Sequence, residues 1–234
     1  MNIHSQNKSK LVNSVFSEVY QKYDFMNDIM SIGIHRMWKK NLIKWMKPRE
    51  GSSLIDVAAG TGDIAKLFNR KTNKKNKIIC VEPNLNMMDM GEKKLKYIKN
   101  IKWSKSSAEK LPFKDNSFDY YTISFGIRNV TNINKSLNEA NRVLKSGGRF
   151  MCLEFSKIEN ELLHYIYKQY SKGIPFIGKY IVGSSNPYKY LLESIKKFPN
   201  QMEFKNMIEK AGFENVEFRN LSSGISAIHS GWKI

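Results

Sequence analysis

The sequence predicts an α/β fold, a doubly wound and mostly parallel seven-stranded sheet of Rossmann-like type with an N-terminal helical lid and a helical insertion. Three observations predict it. Apolar strand-like runs alternate with amphipathic helical segments between residues 53 and 155. A Gly-rich turn, DVAAGTGD at 56–63, follows the first of those runs and opens a helix. The second run ends in an acid, Glu82, at the edge where such sheets bind ligands.

Before the sheet, LVNSVFSEVY (11–20) sets Leu11, Val12, Val15, Phe16, Val19 and Tyr20 on one helical face. Ile34, Met37, Trp38, Leu42, Trp45 and Met46 repeat that pattern, Lys39, Lys40, Lys44 and Lys47 fall largely on the other side, and Pro48 closes the helix. The predicted strands are 53–57, 77–82, 101–104, 118–125 and 148–155, with helices over 61–70, 87–98 and 132–144 between them. Residues 159–198 read as mostly helical and aromatic-rich, interrupted by GIPFIG. A helix at 202–213 precedes two closing strands, NVEFRNL and ISAIHSGWKI. The whole is one domain, 1–234: a helical lid (1–50), a cofactor-binding core (51–158), a helical insertion facing substrate or membrane (159–200), and a closing helix with two strands (201–234).

Apolar residues make up 41% of 234, enough for a sizeable core. No apolar run reaches the roughly 18 residues that a spanning helix needs, and MNIHSQNKSK has no apolar signal core. A cytoplasmic bacterial protein is expected, peripheral on the inner face of the membrane. Cys80 and Cys152 both lie in strand-like runs and read as buried, reduced thiols. The net charge of +18 invites a nucleic-acid reading, yet only seven of 39 basic residues are Arg, the residue suited to bidentate readout of bases and phosphates. A solvated Lys-rich surface explains the charge better, an anionic membrane next, nucleic acid last.

In the Gly-rich turn, Gly60 and Gly62 are followed by Asp63, Ile64 and Ala65, so the third glycine of a dinucleotide GxGxxG is missing. An acid before the loop (Asp56), no Lys or Arg inside it to hold a phosphate, and a ribose acid (Glu82) suit a nucleoside without a pyrophosphate. S-adenosylmethionine is such a ligand. In SSAEKLPFKDNSFD (106–119), Ser107 and Ala108 can present a side chain and a backbone N–H to the base. His35, His164, His229 and the cysteines show no metal-ligand spacing, so no metal is expected.

Four stretches carry a resemblance over nearly all of the chain from Leu11 onward: YDFMNDIMSIGIHRMWK, DVAAGTGD, SFGIRNV (124–130) and RVLKSGGRFMCLEFSK (142–157). With them the chain looks like a class I S-adenosylmethionine-dependent methyltransferase, and more closely resembles the ubiquinone/menaquinone biosynthesis C-methyltransferase family. That similarity carries cofactor contacts to Thr61, Glu82, the Ser107–Ala108 pair and Ser124, besides Asp56, Gly60 and Gly62 of the turn. Ala58–Ala59 stands where the family has at least one glycine, which is harmless if φ is negative there; Glu82 replaces an Asp, and Ser107 an Asn or Asp.

The reaction implied is methyl transfer to a ring carbon of a polyprenylated quinol, 2-polyprenyl-6-methoxy-1,4-benzoquinol or demethylmenaquinol. Removing the proton from a phenol of pKa about 10 makes the ring carbon nucleophilic. SFGIRN leaves the fourth strand where substrate would lie. An arginine keeps its proton at neutral pH, so Arg128 is read as a clamp for the developing phenolate and Asn129 as the holder of a ring oxygen or water. Tyr23 and Asn27 are expected to face the quinol from a lid packed down by Met30, Ile32, Ile34 and Trp38, with His35 and Arg36 anchoring the turn after Gly33. The implied partners are the quinol, a membrane surface, other quinone-biosynthesis proteins and a second copy in a homodimer, with no nucleic acid. A small-molecule O-methyltransferase and an RNA methyltransferase stay open as alternatives, the latter disfavoured because the chain has no adjacent prolines and no Pro-Cys.

Overall fold

The computed structural model describes residues 33–73, 76–158 and 186–234, with Lys8, Val12, Ser14, Ser17, Asp28 and Ser31 from the segment before them. The expectations for Tyr23, Asn27, Met30, Ile32, His164 and GIPFIG lie outside these residues.

Within them the chain runs α1 (His35–Met46), β1 (Ser53–Val57), α2 (Asp63–Lys71), β2 (Lys77–Val81), α3 (Leu85–Leu95), β3 (Ile101–Ser104) and β4 (Phe118–Ser124). A 3₁₀ turn at Ile127–Asn129 follows, then α4 (Ile133–Val143), β5 (Leu144–Phe155), α5 (Asn186–Lys197), α6 (Gln201–Lys210), β6 (Glu214–Leu221) and β7 (Ser226–Trp232). The sheet order is β3-β2-β1-β4-β5-β7-β6. The pairings from β3 to β5 are parallel, and β7 runs antiparallel to both β5 and β6.

Every residue of β1 is buried, as a strand covered on both faces requires. Alternation then sorts the faces. Leu54, Ile78, Met151 and Leu153 meet Trp38 and Leu42 of α1 and Phe68 of α2. Ile55, Ile79, Tyr121 and Phe150 meet Leu137 of α4 and Phe204 of α6. The helix starts are written locally: Asn84 and Asn132 cap α3 and α4 through their side-chain oxygens. Asn200 and Glu203 form a reciprocal box at α6.

Among the differences from the sequence reading are two element starts and one helix face. Strand β5 starts at Leu144, because LKSGG pairs onward through a bulge and the Gly147 N–H reaches the Lys233 carbonyl at 2.7 Å. Helix α3 starts at Leu85, directly after its Asn84 cap. In α1, Met37 is 53% exposed while Lys39 is 7% exposed, so the two exchange the faces expected of them. The stripe at 35, 38, 42 and 46 follows the helical period, and Lys39 lies at its edge, where an acid is waiting.

Strand order reverses between β1 and β4, since the chain moves outward from β1 to β3 and then returns to β4 on the other side. A crevice at the carboxyl ends of those two strands is the consequence.

Candidate active site

The crevice is lined by Lys39, Asp56, Gly60, Thr61, Asp63 and Ser124, with Phe125 at its end. Asp56 is 1% exposed. One oxygen accepts the Thr122 hydroxyl at 2.7 Å, and the other is buried without a hydrogen-bond partner among the described residues. Burial pushes its pKa up to about 7 against the pull of that hydroxyl and of Lys39. The Ser124 hydroxyl is likewise buried and unpartnered among the described residues.

Glu82 braces the loop from the neighbouring strand. It accepts the Gly60 N–H at 2.9 Å and the Asn84 N–H at 3.0 Å, and burial lifts it too to about 7. Gly60 and Gly62 both have positive φ, 57° and 82°. A Cβ on Gly62 would lie 2.5 Å from the Leu95 side chain, so this turn accepts only glycine.

Ala58 also has positive φ, 51°. The condition under which an alanine there would be harmless is therefore not met. Its methyl group is also what demands glycine across the crevice, because a Cβ on Gly126 would lie 2.5 Å from it. Phe125, φ 56°, is a second left-handed residue. Three things hold it in place: its N–H on the Leu153 carbonyl at 2.8 Å, its ring beside Trp38 and Phe155, and its carbonyl under Arg128.

The sequence suggested a loop without cations, and the fold brings two to it. Lys39 of α1 and Lys94 of α3 hold the two oxygens of Asp63 at 2.8 and 3.0 Å, and Lys94 also donates to Thr61 at 3.0 Å. Burial would raise Asp63, but the two ammonium groups outweigh it and hold its carboxyl below the usual range.

Beyond β4, Arg128 is buried against Glu154 at the end of β5. The two side chains are 5% and 2% exposed, with Nη1 2.7 Å from Oε1. Nη1 also donates to the Phe125 carbonyl at 2.7 Å, and Nε is buried without a partner among the described residues. Asn129 accepts the Tyr190 hydroxyl of α5 at 3.1 Å.

Ser107 and Ala108 follow β3 and do not line the crevice; Ser107 is exposed and pairs with Lys110, while Ala108 is buried. His35 and Arg36 do brace the turn at Gly33: His35 meets the Ser31 hydroxyl at 2.9 Å, Arg36 meets Asp28 at 2.7 Å, and the Gly33 N–H reaches the Asp28 carbonyl at 2.9 Å.

Lys39, Lys94, Glu154 and Tyr190 were missed by sequence reasoning. Only Glu154 left a signal, as a carboxylate set in the apolar run FMCLEF, which a buried strand tolerates only if it is paired.

S-adenosylmethionine fits these residues: Glu82 for ribose hydroxyls, glycine backbone for close approach, and the bare oxygens of Asp56 and Ser124 for its polar groups. Among the described residues no group of His, Cys, Asp and Glu could hold a metal ion. Fold and crevice together define a class I S-adenosylmethionine-dependent methyltransferase.

The solved structures agree on the fold. A SAM-dependent methyltransferase from Thermotoga maritima matches with TM-score 0.68 at 21% identity, over 95% of this chain and 100% of that one. A Haemonchus contortus phosphoethanolamine N-methyltransferase, solved with S-adenosylhomocysteine, matches with TM-score 0.63 at 14% identity, over 84% of this chain and 52% of that one. The chain belongs to the ubiE/COQ5 methyltransferase family, whose model matches residues 3–233. It is 49% identical to the ubiquinone/menaquinone biosynthesis C-methyltransferase UbiE of Brucella abortus, over 99% of this chain and 88% of that protein. The Brucella anthropi counterpart is 50% identical, over 99% and 90%.

Proposed function

We propose that this enzyme methylates a ring carbon of a polyprenyl quinol, the step named for its Brucella relatives in ubiquinone and menaquinone biosynthesis. The observation that carries the reading is the Arg128–Asn129 pair, held at the carboxyl end of β4 beside the crevice, with a buried Nε–H unpartnered among the described residues. The bound cofactor would supply an electrophilic methyl group on a sulfonium. Asp56, Gly60, Thr61, Gly62, Glu82 and Ser124 would hold it, with Ser107 and Ala108 at the adenine end.

The chain's own work is to make the ring carbon electron-rich and to align it. Arg128 stabilises the developing phenolate and Asn129 orients the ring. Tyr23, expected to act on the ring, lies outside the described residues. The greasy path for the polyprenyl tail, with the membrane surface as its source, is assigned to the insertion at 159–200, of which residues 159–185 lie outside the described residues. Among the described residues no helix is long and apolar enough to cross a membrane.

Purified protein with methyl-labelled S-adenosylmethionine and a demethylated quinol should label the quinol and leave RNA unlabelled. Arg128→Ala should abolish that turnover while cofactor binding, measured by calorimetry, stays within about twofold. Near-normal turnover in this variant would remove Arg128 from the mechanism. The quinone that accumulates demethylated in a deletion strain identifies the ring.

A further inference from the structure

An arginine that keeps its proton cannot take one from a phenol, so the clamp leaves the general base unassigned. We infer that Glu154 is that base, and that Arg128 exchanges one anionic partner for another as the reaction begins. The inference rests on the proposed role of Arg128 and goes one step beyond it.

The geometry is specific. Glu154 is the penultimate residue of β5, at the same end of the sheet as Ser124 of β4, to which the preceding residue Leu153 is paired. Its Oε1 is fully engaged, by Arg128 Nη1 at 2.7 Å and by the Phe155 N–H at 2.9 Å. Among the described residues, its Oε2 has only the Arg128 main-chain N–H, at 3.5 Å. A carboxylate 1% exposed with one oxygen so weakly bonded is ready to accept a proton. A buried ion pair of this kind adds little net stability, since desolvation offsets its attraction, so stability alone does not account for it.

The step balances. The phenol O–H bond breaks, its electron pair stays on the oxygen, and the proton forms an O–H bond at Glu154 Oε2. Phenol, arginine cation and carboxylate thereby become phenolate, arginine cation and carboxylic acid, with no change in net charge inside the buried site. After methylation the ring C–H proton leaves to solvent, its electrons restore the aromatic ring, and Glu154 returns its proton to the oxygen. The enzyme ends as it began.

The groups facing Glu154 are consistent with this role. Arg128 comes from the 3₁₀ turn and Tyr190 from α5, where burial raises its hydroxyl. From its own strand comes Cys152, whose thiol is raised by burial and by Glu154 itself. The Ser226 hydroxyl of β7 is spent on the Glu154 main-chain carbonyl at 2.7 Å. Burial raises Glu154 above an ordinary glutamate against the pull of Arg128, which brings its proton affinity toward that of a phenol.

Glu154→Gln keeps an oxygen for Arg128 and removes the base. With a short-chain quinol as probe, kcat should fall about 100-fold or more while S-adenosylmethionine affinity is unchanged, and the acidic limb of the kcat profile should disappear. A ring-fluorinated quinol, whose phenol is more acidic, should restore the Gln variant at least about tenfold relative to wild type, and Glu154→Asp should recover a similar factor. If Glu154→Gln fails to bind cofactor, the Asp variant decides. A retained acidic limb, shifted in pH, supports the base, and a profile without that limb overturns it.

Activity of Glu154→Gln within threefold of wild type, or a loss that neither phenol acidity nor Asp relieves, would overturn the assignment. Arg128→Gln in parallel separates the two claims. If it is inactive while Glu154→Gln is normal, the base assignment alone is wrong; if it is active, the clamp itself is.

Discussion

Ala58 sits in a left-handed conformation at the tip of the cofactor loop, φ 51°, which costs an L-residue with a Cβ roughly 1 kcal/mol. Ala58→Gly should therefore stabilise the protein by roughly 0.5–1 kcal/mol, read as a higher denaturation midpoint with an unchanged slope. A neutral or destabilising result would mean that the methyl contact with Gly126 outweighs the strain. The sequence showed where glycine was missing, but φ is decided by how the loop returns beneath Glu82, one helix and one strand later in the chain. Arg128 is the same kind of case. Its position after β4 was legible, while its carboxylate partner lies 26 residues onward on the adjacent strand, and nothing in local spacing pairs the two.

At the scale of elements, the N-terminal segment touches the site on two sides. Lys8 donates to the Arg128 and Val130 carbonyls at 3.3 and 2.6 Å, and the Asn84 side chain donates to the Ser17 hydroxyl at 3.0 Å. One contact lies on the loop after β4, the other on the loop after β2, so Lys8 and Ser17 tie the segment to both loops. Deleting residues 2–20 removes both contacts and leaves Asp28 and Ser31 to brace α1. Quinol turnover should fall at least about tenfold while the unfolding midpoint of the sheet moves little; unchanged kinetics would contradict a lid. Helix α1 teaches the limit of periodicity. The apolar stripe was readable, but Lys39 turned inward because Asp63 compensates its burial, and a hydrophobic pattern carries no information about a salt-bridge partner on another helix.

For the whole molecule, buried titrating groups set opposing pH dependences. Burial raises Asp56 and Glu82 to about 7 and lowers His35 and His229 to about 4. Raised carboxyls contribute stability that is present below about pH 4 and lost as pH rises through 7. Lowered histidines contribute stability that is present above about pH 6.5 and lost as pH falls through 4. The two oppose each other between 4 and 6.5, and only the carboxyls still act above that. The melting temperature of the cofactor-free protein should fall between pH 6.5 and 8, while S-adenosylmethionine affinity rises over the same interval as Glu82 ionises to receive ribose hydroxyls. Glu82→Gln should weaken the first trend and remove the second, as followed by calorimetry at several pH values; an unchanged affinity trend would release Glu82 from that role. By itself the sequence determined the sheet, the Gly-rich turn, the acid that follows β2 and the family, because each is written in local periodicity and contiguous motif. Only the tertiary structure decided that Lys39 and Lys94 converge on Asp63, that Tyr190 meets Asn129 and that Glu154 holds Arg128. Those partners lie on different elements, and burial, which makes their pairing obligatory, exists only once the chain has folded.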